Sequence, residues 1–192
     1  MYKKYFKRLF DILISISLFI FLFPVMILIF FLIWYLIGFP IFIQKRPGLR
    51  GKIFKIYKFK TLYDVSKKIS EEKRQSKLGN FLRKTGLDEL PQLINILKND
   101  MSFVGPRPLL VEYLKKYTKN EKKRHLVKPG ITGLAQVNPQ PLGIKSWKKS
   151  VKFDNYYVKK LSFSLDLKII YKTVELILLK KKQYKDFEKF YE

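Results

Sequence analysis

The chain has 192 residues, enough for one domain of ordinary size with some chain to spare for a membrane segment. Its formal net charge of +25 calls for an anionic counterpart: nucleic acid, anionic lipid or phosphorylated substrates. With no cysteine and a single histidine, disulfides, thiolate zinc sites, a cysteine nucleophile and a histidine metal cluster within one chain are excluded, so chemistry must rest on carboxylates, Lys, Arg, Tyr or Ser.

From Ile12 to Phe39 no residue is charged. The run is too long and apolar for a core helix and far exceeds the apolar part of a signal peptide, so it is expected to stay in the mature protein. As a straight helix it would measure roughly 40 Å, more than a hydrocarbon core of ~30 Å requires. Lys3, Lys4, Lys7 and Arg8 precede it; Lys45, Arg46, Arg50, Lys52, Lys55, Lys58 and Lys60 follow it. Two basic flanks both favour the cytoplasm, which a straight span cannot satisfy. Pro24 can kink the helix near its middle. A helix that breaks there and returns to the same side stands level, on these features, with a single tilted span.

IFIQKR and IFKIYKF, around a loop with Gly48 and Gly51, predict a β-hairpin. Ser66 to Thr85 is highly charged and becomes amphipathic at Leu78, Phe81 and Leu82. Leu90, Leu93, Ile94 and Leu97 mark a helical face after Pro91. Leu109 to His125 reads as a further helix, with His125 a solvated residue in a basic run. Lys128 to Gly133 reads as a turn and Asn138 to Gly143 as an irregular loop. Trp147, Val151, Tyr157, Val158 and Leu161 predict an amphipathic helix with aromatics suited to a membrane interface. Leu165 to Leu179, broken by Asp166, Lys168, Lys172 and Glu175, reads as an amphipathic helix rather than a second span.

Two segments carry candidate chemistry. Asp88 and Glu89 lie just ahead of a helix start, where carboxylates also serve as caps and dipole partners. Arg83 and Lys84 upstream, with Asp100 and Arg107 downstream, make a neighbourhood in which such acids could hold a divalent metal or attack a phosphorus centre. In Gly105-Pro106-Arg107-Pro108 the two prolines stiffen the backbone around a guanidinium whose planar fork matches a phosphate.

The run from Phe81 to Leu110, FLRKTGLDELPQLINILKNDMSFVGPRPLL, resembles the signature of the bacterial sugar transferase family, the monotopic phosphoglycosyl transferases. Lys7, Arg8 and Asp11, the hairpin residues Gln44, Arg46, Gly48, Gly51, Lys52, Phe54, Tyr57, Lys58 and Phe59, and Lys128 to Gly133 with Ala135 to Asn138 extend the resemblance over nearly the whole chain. It implies transfer of a sugar-1-phosphate from a UDP-sugar to polyprenyl (undecaprenyl) phosphate with release of UMP. By the same resemblance Asp88 is the nucleophile and a Mg²⁺ ligand, Glu89 its acid/base or electrostatic partner, Arg107 a holder of a donor phosphate and Arg83 of the polyprenyl phosphate. Lys58, Lys60 and Gln136 are implied as further substrate contacts.

The implied fold is α+β and predominantly helical: a re-entrant membrane helix over 1–40, a cytoplasmic-face catalytic domain over 41–179 with a small hairpin and interfacial helices, and a charged tail over 180–192. The implied location is the inner membrane of a bacterium, against the lipid bilayer, with no nucleic-acid partner; a homodimer stays open. Three departures stand out: Phe23 before Pro24 where the family has serine, Lys60 where it has arginine, and Asn138-Pro139-Gln140-Pro141 where it has Asn-Gly-Arg-Asn, a change that bears on nucleotide or sugar contacts. The competing readings are an inactive relative acting as a scaffold and a membrane-tethered nucleic-acid-binding protein.

Overall fold

The computed structural model describes residue 2 and residues 6–64, 70–138 and 147–179. It is predominantly helical. The first helix, α1 (Lys7–Leu36), is apolar on all sides, and only Lys7, Asp11, Ser15, Ile29 and Ile33 are buried. A helix that leaves such a surface bare is suited to lipid, and it is long and apolar enough to cross a membrane. The chain stays helical through Pro24, so the break expected there is not an interruption; a missing N–H permits a bend without a loop.

Both halves of α1 meet the globular part. Near its start the Arg8 guanidinium donates to Ile96 O at 2.6 Å and Leu97 O at 3.1 Å, covering carbonyls at a helix end. Asp11 Oδ1 accepts from Ser102 Oγ at 3.0 Å and Phe103 N at 2.9 Å. Leu18 and Phe19 pack on Ile56, Leu93, Ile96 and Met101. Near its end Ile29 and Ile33 join Phe59 and Leu82.

The predicted hairpin is present: β1 (Ile41–Pro47) pairs antiparallel with β2 (Ile53–Phe59), Ile41 opposite Phe59. Two short helices follow, α2 (Glu71–Arg74) and α3 (Lys77–Thr85). Ser76 caps α3 by accepting from Gly79 N at 2.8 Å. Gly86, at φ 74°, ends it in the left-handed region that glycine reaches without strain. A 3-10 turn over Leu87–Glu89 then leads through Pro91 into α4 (Gln92–Leu97).

On α4 the expected face is displaced. Gln92, Leu93, Asn95 and Ile96 are buried, while Ile94 and Leu97 are exposed. The reason is the free edge of β2: Asn95 accepts from Tyr57 N at 3.1 Å and donates to Lys55 O at 2.7 Å, so its amide must point inward.

Lys128 to Gly133 is not simply a turn. Gly130–Thr132 forms β4, parallel to β3 (Ser102–Val104). The two backbones approach so closely that a Cβ on Gly130 would lie 2.1 Å from Gly105 N, which is why glycine is needed there.

The single helix expected over Leu109 to His125 is instead two 3-10 turns, Val111–Lys115 and Glu121–Leu126. A capping box divides them: Thr118 N donates to Glu121 Oε2 and Glu121 N to Thr118 Oγ1. After α5 (Leu134–Val137), the helices α6 (Trp147–Lys160) and α7 (Phe163–Leu179) close the core around Val104, Val127, Leu134, Val137, Phe153, Tyr157 and Ile169. Tyr157 is thus a core residue and not an interfacial one. Its hydroxyl donates to Asp166 Oδ1 at 2.7 Å, with Val104 O 3.0 Å away. The Pro139-Gln140-Pro141 departure and the tail from Lys180 lie outside the described residues.

Candidate active site

Three segments distant in sequence bring their charges together around Glu89. The turn after α3 presents Asp88 and Glu89, β2 presents Lys58, and the loop after β3 presents Arg107. Lys58 Nζ reaches Glu89 Oε1 at 2.5 Å and Arg107 Nη2 reaches the same oxygen at 3.2 Å. The Asn95 amide ties the free edge of β2, the strand that carries Lys58, to α4 beside Glu89.

The Arg107 loop is held from beneath. Arg124, fully buried, donates to Arg107 O at 2.6 Å, to Tyr117 Oη at 2.8 Å and to Asp154 Oδ2 at 2.7 Å. Arg46 on β1 donates to Pro108 O at 3.2 Å and to Gln44 Oε1 at 2.6 Å. His125, expected in solvent, is buried. Its Nδ1 lies 3.2 Å from Gly48 O, an oxygen that can only accept, so the proton sits on Nδ1. Burial, with the neighbouring Arg124 charge, pushes its pKa down to about 4 and keeps the ring neutral.

The two acids titrate apart. Burial pushes Asp88 above its ordinary value and the Glu89 charge adds to the rise; Lys58, Arg83 and Arg107 pull against it without cancelling it. Burial would raise Glu89 as well, yet Arg107 and Lys58 together hold it below the usual carboxylate range. Asp88 is a buried residue, and its carboxylate makes no hydrogen bond among the described residues. A raised acid without a hydrogen bond, next to one that has two cationic partners, is the environment in which functional carboxylates are found.

A cleft of about 260 Å³ opens beside this cluster. Arg46, Lys58, Glu89, Gln92 and Arg107 supply its polar wall, and Ile56, Pro108, Gly130 and Ile131 the rest. Asp88 lies outside that wall. Arg83, exposed on α3, donates through Nε to Thr61 Oγ1 at 2.8 Å. Lys60 pairs with Asp64. Gln136 donates to Ile131 O at 2.8 Å and so braces the cleft from behind. Lys58, Glu89 and Arg107 are therefore brought together at the cleft, with Asp88 and Arg83 within electrostatic reach; Lys60 is paired with Asp64, and Gln136 stands behind the cleft with its Oε1 unpartnered among the described residues. Arg46, Gln92 and Arg124 were not among the site residues expected from sequence. Arg46 stands in the hairpin pattern and Gln92 in the Phe81–Leu110 run, whereas Arg124 had no signal.

Among the described residues no group of three or more His, Asp or Glu could hold a metal. Magnesium needs less, since it keeps several waters and is commonly bound by one or two carboxylates plus substrate phosphates. The unpartnered Asp88 carboxylate fits that demand.

The family model for bacterial sugar transferase matches residues 2–180. The chain belongs to the bacterial sugar transferase family. It is thereby a phosphoglycosyl transferase. An uncharacterized sugar transferase of Bacillus subtilis, EpsL, is 49% identical over 147 residues, 74% of this chain and 72% of its own. The UDP-glucose:undecaprenyl-phosphate glucose-1-phosphate transferase of Escherichia coli is 41% identical over 146 residues, and the undecaprenyl-phosphate galactose phosphotransferase of Salmonella typhimurium is 35% identical over 162. These matches take in 70% and 73% of this chain but only 32% and 34% of the two longer relatives.

Proposed function

We propose that this transferase moves a sugar-1-phosphate from a UDP-sugar to undecaprenyl phosphate through a phosphosugar attached to Asp88, opening the assembly of a surface polysaccharide or glycoconjugate. The observation that carries this reading is Asp88, a buried residue whose carboxylate takes no hydrogen bond among the described residues and stands beside a cationic cleft. Relatives named for glucose and galactose phosphate transfer to undecaprenyl phosphate support the reaction class.

In the first step an oxygen of ionised Asp88 attacks the sugar-bearing phosphorus. The bridging P–O bond breaks and its electron pair leaves with UMP. In the second step an oxygen of the polyprenyl phosphate attacks that phosphorus, the aspartyl–phosphorus bond breaks, and Asp88 is restored. Burial and the Glu89 charge make Asp88 more basic than an ordinary aspartate, which makes it the better nucleophile. Glu89, held ionised by Arg107 and Lys58, orients those two cations rather than donating a proton. Arg107 and Lys58 face the donor's phosphates, and Arg83 meets the acceptor phosphate. Magnesium, held by Asp88 with substrate phosphates and water, would neutralise charge on the phosphate oxygens.

The same proposal places α1 as a re-entrant helix in the inner membrane with the site on the cytoplasmic face. Support comes from its contacts: Arg8 and Asp11 at one end and Ile29 and Ile33 at the other all lie on the globular part. A straight crossing would carry one end ~30 Å to the far side. Cysteines placed before Tyr5 and after Lys45 should both react only with a reagent on the cytoplasmic side; outside labelling of the first would end the re-entrant reading. For the chemistry, protein in nanodiscs with Mg²⁺ and polyprenyl phosphate should release UMP from one member of a UDP-sugar panel. Silence with every donor, in folded protein, would favour the inactive scaffold.

A further inference from the structure

Every cationic side chain on the wall of the cleft already has a partner. Lys58 and Arg107 are on Glu89, and Arg46 is on Gln44 and Pro108. Gln92 differs. It is 1% exposed, it lines the cleft, and its Nε2 has no hydrogen-bond partner among the described residues. It starts α4 three residues after Glu89, a spacing that sets both side chains on one face of the helical turn. Asn95, one turn on, shows what a structural amide on this helix looks like, with its oxygen and its nitrogen both bonded to β2.

An orphan donor in a closed interior is costly to the folded chain, and an apolar side chain of the same size would avoid the cost. The partner it lacks must then come from what fills the cleft. Three cations on the wall draw an anion there. An oxygen that only accepts is the complement of an N–H that only donates.

We propose that Gln92 is a substrate-binding residue whose Nε2 donates to a phosphoryl oxygen of the donor, adding a neutral contact to those of Lys58 and Arg107. The assignment rests on the transferase reading above.

The test uses the full chain in nanodiscs, with Gln92→Met and Gln92→Glu beside wild type, and with inorganic pyrophosphate, UMP and uridine as probes. Gln92→Met should unfold, ligand-free, at a temperature no lower than wild type. It should bind pyrophosphate and UMP roughly tenfold or more weakly, the usual scale for a lost hydrogen bond to a charged oxygen. Its affinity for uridine should be unchanged, and kcat/KM for the active UDP-sugar should fall with the phosphate affinity. Gln92→Glu keeps the shape and adds a repelling charge, so it should lose pyrophosphate more completely, and it carries the test if the Met variant does not fold. Pyrophosphate and UMP affinities within twofold of wild type in Gln92→Met would overturn the proposal, as would a lowered ligand-free unfolding temperature with binding intact. If wild type releases UMP from no donor while pyrophosphate binding still falls in Gln92→Met, the transferase reading fails and the phosphate contact stands. Turnover in wild type with undiminished phosphate binding in Gln92→Met fails the contact alone.

Discussion

Among the described residues, two clusters of acids and lysines, one buried at the base of α1 and one half-buried at the cleft, are built differently. At the base of α1, Asp166 accepts from Lys7 Nζ and the Tyr2 hydroxyl on one oxygen, both at 2.6 Å, and from the Tyr157 hydroxyl on the other. Asp11 beside it is engaged by Ser102 and Phe103. At the cleft, two cations crowd one oxygen of Glu89, and Asp88 next to it takes no hydrogen bond among the described residues. A buried charge with its partners complete ties elements together; one left without a hydrogen bond among the described residues, with its pKa pushed up, is the group the proposed reaction uses.

That contrast is broken most directly by the same isosteric change in each cluster. Asp88→Asn should cut UMP release more than about a thousandfold, since no nucleophile remains. Its unfolding temperature should be no lower than wild type and should rise somewhat near neutral pH, because no hydrogen bond among the described residues is lost and a charge that burial and Glu89 disfavour is removed. Asp166→Asn should do the reverse and cost about 3–5 kcal/mol, the usual penalty for leaving a buried charge such as Lys7 uncompensated. Thermal unfolding in detergent beside a UMP assay on the surviving folded fraction separates the two. An Asp166→Asn protein as stable as wild type would show that this cluster is not what ties α1 down.

The two clusters were unequally legible. Asp88, Glu89 and Arg107 stand in motifs whose chemistry can be read from neighbours, and α1, the hairpin and α7 follow from periodicity and composition over many residues. β3 and β4 did not, because three-residue strands paired between Ser102 and Gly130 leave no local pattern. Arg124 and His125 look like surface residues in a basic run; Asp154, 30 positions away, with the Tyr117 hydroxyl and Arg107 O, makes the burial of Arg124 tolerable. The inward amides of α4 were hidden by ordinary helical periodicity, which has no way to register a strand edge that needs a partner. The Thr118–Glu121 capping box was readable and was passed over for a longer helix.

The opposite shifts of the two acids at the cleft sharpen the contrast further. With Asp88 as the proposed nucleophile, turnover requires it ionised, so the acid limb of kcat/KM should lie above the ordinary aspartate value and fall away as pH drops through the raised one. Removing the Glu89 charge in Glu89→Gln takes away one cause of the rise and should move the limb to lower pH in whatever activity survives. Lys58→Met removes an opposing charge and should move it to higher pH. Limbs that coincide in all three proteins would mean that a group other than Asp88 controls the profile.

The smallest effect concerns His125, which shares the partnered style of the α1 cluster at Nδ1 but has no partner at Nε2 among the described residues. Its folded pKa is depressed from 6.5 to about 4, so the neutral ring is the form the fold accepts. The stability it contributes is fully present above pH 6.5 and is lost as pH falls through the folded value near 4. His125→Gln keeps a donor for Gly48 O and cannot titrate. At pH 7 it should be slightly less stable than wild type, through poorer packing. Between pH 6.5 and 4 wild type should lose about 2 kcal/mol more than the variant, so the gap closes or inverts. Unfolding temperatures at pH 7, 5.5 and 4 follow this directly. Parallel lines for the two proteins would mean that the ring meets protons as readily folded as unfolded. In that case the support beneath the Arg107 loop would be open to solvent, and the partnered and unpartnered clusters would no longer divide into structure and chemistry.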